Sequence, residues 1–209
     1  SWRGSVVGLG RRIVRSGRLA LSLGFCIMSR AGLVRLRRGF RRLFGSLLLL
    51  RGRSESVAGS LTNLGNIYDK QGRVDDGLRM LKRALRVYRR VHGDGHEKVA
   101  DALSCVGVVL QGKGELERAM GKYEEAHAMY VGLYGEDHET VAMVLGHRAN
   151  VLNDQGKFAE ALAMHEKALD IKRRTLGSDS DEVVVSLLNL GSAHLGQGML
   201  NEALARFEE

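Results

Sequence analysis

The chain has 209 residues, of which 44% are hydrophobic and only 5% aromatic, and it contains no proline. That length and apolar content build one large domain or two small ones, and helices run without their strongest breaker. The formal charge of +8 belongs to no single surface: residues 1–53 carry 13 Arg and neither Lys nor acid, while the rest carries 19 basic and 24 acidic side chains, a net of −5.

Taken in chain order, residues 1–53 come first, as an Arg-rich leader whose composition reads as an unfolded or targeting segment. Its apolar run Leu19–Met28 is too short to span a bilayer. The pairs Arg11-Arg12, Arg37-Arg38 and Arg41-Arg42 suit an anionic membrane better than nucleic acid, because few aromatics lie between them to stack on bases. Three readings stay open: a leader without a folded role, an organelle transit peptide, and an interaction arm. The chain starts at Ser and stops inside a helical pattern, EALARFEE, so a fragment of a longer protein is the expectation.

From Ser54 on, the sequence overlays itself at a shift of 42 without gaps. LGNIYDKQGRVDDGLRMLKRAL aligns with VGVVLQGKGELERAMGKYEEAH, RANVLNDQGKFAEALAMHEKAL and LGSAHLGQGMLNEALARFEE. Gly72, Gly114, Gly156 and Gly198 fall in register, as do the small residues Gly77, Ala119, Ala161 and Ala203. Repetition of this period means stacked structural units. Four units follow, about 54–95, 96–137, 138–179 and a shorter 180–209.

Each unit reads as two helices. In the second, Val99, Ala102, Leu103, Val106 and Leu110 mark a first helix over about Glu97–Leu110. Gly114 allows a tight turn. Leu116, Ala119, Met120, Tyr123 and Tyr130 mark a second helix over about Glu115–Leu133. Small residues at the position of Ala119 let the two helices approach closely.

His-Glu occurs at His96-Glu97 and His138-Glu139, and the third copy has Ser180 instead. Duplication at a structural period argues for helix capping rather than chemistry: a polar side chain accepts a free N–H and an acid follows at the positive end of the helix. A second His at zinc-binding spacing is missing from both HEKVA and HETVA. GLGRR at Gly8 lacks the third glycine of a dinucleotide loop, Cys26 and Cys105 have no metal-spaced partner, and no nucleophile elbow is present. The expectation is a non-enzyme without cofactor or metal.

The repeat resembles the tetratricopeptide repeat, through Leu64-Gly65, Tyr68, Gly72, Gly77 and Ala84 in unit one and Gly107, Gly114, Ala119, Tyr123 and Ala126 in unit two. Arg148 and His165 depart from it in unit three. The 42-residue unit is similar to the kinesin light chain and nephrocystin-like class rather than to the common unit of about 34. The resemblance implies an all-α, right-handed superhelical solenoid of antiparallel helix pairs. It also implies a concave groove for partner peptides, lined at the matching positions by Asn63, Asn66 and Lys70, by Val108 and Gln111, by His147, Asn150, Asn153 and Asp154, and by Asn189 and Ser192. Asn suits that task because its amide both donates and accepts. The function expected is a protein-interaction scaffold in the cytoplasm, or in an organelle if the leader is a transit peptide. The alternative is the cargo-binding region of a kinesin light chain-like motor adaptor, which also needs an upstream heptad coiled coil that residues 1–53 do not show.

Overall fold

A computed structural model describes Gly52 and residues 54–209. The readings of the leader, and of Cys26 within it, fall outside the described residues. All regular structure among the described residues is α-helical. The helices are α1 (54–70), α2 (Val74–His92), α3 (Glu97–Gly112), α4 (Leu116–Tyr134), α5 (Glu139–Asp154), α6 (Phe158–Leu176), α7 (Asp181–Gly196) and α8 (Leu200–Glu208). They form four antiparallel pairs.

Two kinds of glycine turn punctuate them. Gly72, Gly114, Gly156 and Gly198 join the helices of a pair at φ between +76° and +79°. Gly93, Gly135 and Gly177 end the second helices at φ of +86° to +88°. Both sets occupy the left-handed region that a side chain disfavours. The next helix then starts on a side-chain cap. His96 Nδ1 accepts from the Lys98 amide at 3.1 Å, His138 Nδ1 from the Thr140 amide at 3.3 Å, and Ser180 Oγ from the Val183 amide at 3.3 Å. The duplicated His-Glu is therefore a cap followed by a first-turn acid. The ring of each capping His also stacks on the end of the preceding helix, His96 on His92 at 4.0 Å and His138 on Tyr134 at 4.4 Å.

Within each pair the small residue is sealed: Ala119, Ala161 and Ala203 are at most 1% exposed, and Gly77 is buried. Each pair then packs on the next, and α3 also touches α5, as α5 touches α7. The second helices run farther apart and meet through side chains, as where Arg89 on α2 donates to Glu125 on α4. The stack therefore curves with α1, α3, α5 and α7 on its inner side. One apolar core runs from Ala58 to Ile171 and includes Leu81, Leu103, Leu110, Tyr123 and Tyr130. Burying each such side chain stabilises the fold by about 1.5–3 kcal/mol. A separate small core of Leu169, Val183, Leu187 and Leu190 joins the last two pairs. Polar groups gather at this joint: His165, Ser186 and His194 are buried there, and Lys172 donates to Ser186 Oγ at 2.8 Å and to the Glu182 carbonyl at 3.2 Å.

Candidate functional site

Residues three, four and seven apart share a helix face. Asn63, Asn66 and Lys70 lie so on α1, Val108 and Gln111 on α3, His147, Asn150, Asn153 and Asp154 on α5, and Asn189 and Ser192 on α7. Repeat-equivalent members stand side by side along the stack: Asn66, Val108, Asn150 and Ser192 form one row, and Asn63, Cys105, His147 and Asn189 another. Asn63, Asn66, Lys70, Val108, Asp154 and Ser192 are exposed; Gln111, His147, Asn150, Asn153 and Asn189 are half-buried.

The structure separates these residues by what they already do. Gln111 bridges two units: its Nε2 donates to Asp154 Oδ2 at 2.6 Å, and its Oε1 accepts from the Tyr123 hydroxyl at 3.3 Å. Asn153, the counterpart of Gln111, donates through Nδ2 to His165 Nε2 at 3.4 Å. Ser192 Oγ donates back to the Leu188 carbonyl at 2.9 Å. His147 stacks flat on Tyr123, with ring centroids 5.3 Å apart. Gln111, Asn153 and Ser192 are thus committed to the scaffold. Among the described residues, the side chains of Asn63, Asn66, Asn150 and Asn189 make no hydrogen bond, so their amides remain available to a guest.

Electrostatics keep the centre of this face neutral. Burial, helped by the Lys172 charge, lowers the pKa of His147 and takes that of His165 to about 4. Burial raises the thiol of Cys105 and the phenol of Tyr123. No three His, Cys, Asp or Glu side chains group as metal ligands among the described residues.

Sequence reasoning missed an apolar part of the face. Met143 (39% exposed), Val185 (51%) and Leu188 (49%) share the helix faces of His147, Asn189 and Ser192. Continuing the same spacing toward the helix starts would have found them. Unengaged amides and the exposed apolar side chains of Val108, Met143, Val185 and Leu188 thus share this face.

The sequence profile of the tetratricopeptide repeat matches residues 56–131 and 140–209. A search of curated proteins returns no match. Among solved structures, the chain is similar to BtubC (BKLC) from P. vanneervenii, at 22% identity, covering 100% of this chain and 89% of that one, with a TM-score of 0.65. It is also similar to nearly identical TPR-like repeats of a putative kinesin light chain from Podosopora anserina, at 19% identity over 74% and 73% of the two chains, TM-score 0.65. The apo form of RapI is similar at 18% identity over 74% and 42%, TM-score 0.61. The fold is shared with the kinesin light chain-like class. No helix among the described residues is long and apolar enough to cross a membrane.

Proposed function

The chain belongs to the tetratricopeptide repeat family, and from that premise we propose that it is a non-catalytic scaffold that holds an extended segment of a partner protein along its inner face. Repeats of this family generally mediate protein–protein interaction. The observation that carries the reading is the uncommitted amides of two neighbouring rows, Asn66 and Asn150 in one and Asn63 and Asn189 in the other. A side-chain amide pairs with any peptide backbone, so these residues hold a chain regardless of its sequence, while the apolar surface of Met143, Val185 and Leu188 selects among sequences. Lys70, Val108, His147 and Asp154 complete the contact surface. Gln111 and Asn153 hold the walls in place, and Ser192 bonds within its own helix. The array occupies 54–209, with residues 1–53 as a separate leader, and works in the cytoplasm without a cofactor.

The test is affinity capture with the intact array and with an Asn66→Ala/Asn150→Ala variant. Partners retained by the first and lost by the second support the reading; partners retained equally by both overturn it. The likeness to repeats of a putative kinesin light chain favours one narrower reading, a cargo-binding region of a motor adaptor. Capture of a heptad coiled-coil motor subunit by the full-length protein would separate the two.

A further inference from the structure

The junction of the second and third pairs departs from the repeat at two places that face each other. Arg148 stands where the other units have Leu64, Val106 and Leu190, and Gly121 stands where they have Arg79, Ala163 and Ala205. Together they line a cavity of about 380 Å³ between α4, α5 and α6. A Cβ at Gly121 would meet nothing within 4 Å, so this glycine is not required by packing, and its missing side chain leaves the space open. The floor is apolar, formed by Met120, Leu152 and Met164. Arg148 and Leu152 lie two residues either side of Asn150, about 160° round the helix from it at 3.6 residues per turn. The cavity therefore opens on the face opposite the inner groove.

Arg148 is held there incompletely. Its side chain is 20% exposed, Nη2 lies 3.6 Å from Glu124 Oε1, and Nε is buried with no hydrogen-bond partner among the described residues. Around the mouth, Glu117, Glu124 and Glu160 outnumber Arg148 and Lys157, and neither Glu117 nor Glu160 has an ion pair among the described residues.

We propose that this cavity is a second docking site, which takes an aliphatic side chain of a partner protein flanked by basic residues. The methionines adapt to the inserted side chain. The glutamates receive the basic flanks. The site lies outside the inner groove and does not depend on the role assigned to that groove.

The test uses the full chain and a five-residue peptide of one leucine with two basic residues on each side, followed by NMR. Binding is expected to shift the Gly121 amide, the Arg148 Nε–H and the methyls of Met120 and Met164. Gly121→Leu fills an open space in a helix, so it keeps the fold, as a melting curve would verify. It is expected to weaken binding about ten-fold or more. Replacing the peptide leucine by glycine should weaken it similarly, and Asn150→Ala should leave it unchanged. Shifts confined to the side-chain amides of Asn66 and Asn150, unaltered binding by Gly121→Leu, or equal binding of the glycine peptide would each overturn the proposal.

Discussion

Gly107 lies against the face of Tyr123: a Cβ built on this glycine would stand 2.6 Å from the ring carbon Cε1. The contact recurs at each repeat with its sizes adjusted. Gly65 meets Leu81, Gly191 meets Phe207, and where the third pair has the smaller His165 it carries Ala149 instead. Gly107→Ala should therefore overpack the second pair and cost about 1–3 kcal/mol. For an array of this size that is about 2–4 °C of melting temperature per kcal/mol. Adding Tyr123→His recreates the Ala149–His165 pairing, so the double variant should lose less than the sum of the singles. Strict additivity in thermal melts would remove the size-matching account.

The caps carry their own test. His138→Ala removes the acceptor of the Thr140 amide and the stack on Tyr134, and Ser180→Ala removes the acceptor of the Val183 amide. Each should cost about 0.5–2 kcal/mol in urea unfolding. Chelator should leave folding unaltered, and a melting shift on chelation would reopen the metal reading of His96 and His138.

His165 makes stability depend on pH. Its pKa falls from the ordinary 6.5 to about 4 because burial disfavours the charged ring, with Lys172 adding repulsion. Between these values the unfolded chain binds a proton that the folded one refuses, so stability falls as pH drops and levels off near 4. The contribution is fully present above about 6.5. Within the window the loss is about 1.4 kcal/mol per pH unit. His147 and His127 are lowered by burial too and act in the same direction. His165→Leu places an apolar side chain like Leu81 at this position and should flatten the profile between pH 6.5 and 4.5. An unchanged slope would mean that the other histidines carry it.

The last helix leaves its outer side uncovered. Phe207 is 43% exposed, whereas its counterparts Leu81, Tyr123 and His165 are at most 1% exposed beneath the following pair. Leu200 and Leu204 are exposed as well, at 67% and 55%. Fusing a capping helix with a polar outer face should raise the melting temperature and reduce self-association measured by sedimentation. No change would count against the stacking of successive pairs as the source of stability.

The fold was legible because a 42-residue register puts glycine at the turns and a cap before α3, α5 and α7, signals that act within a few residues of where they are read. What each inner-face amide does was not legible, because that depends on neighbours from other helices. Gln111 and Asp154 meet across two units, and Asn153 finds His165 only once α5 and α6 are packed. Nothing in the local pattern distinguishes them from Asn150. Arg148 stood out in the sequence as a departure, yet its consequence needed Gly121 from the preceding unit, which only the packed helices bring opposite it.

The proposed groove divides two classes of substitution. Asn66 and Asn150 lie two units apart in one row, and neither side chain is engaged within the fold. In the proposed binding mode one extended segment reaches both. Replacing either by Ala removes up to two hydrogen bonds to the guest, each with a net value of about 0.5–1.5 kcal/mol, so affinity should fall about 3- to 100-fold. Folding should change by less than about 0.5 kcal/mol, because an amide with no intramolecular partner contributes little to it. Ala119→Leu should do the reverse. Ala119 is 0% exposed between α3 and α4, so a larger side chain forces the pair apart and melts the array, with partner binding lost only as the folded fraction falls. Helical melting and partner capture on the same variants separate the classes. If the Asn variants melted early while their folded fraction bound partners normally, these residues would be structural and the groove assignment would fall.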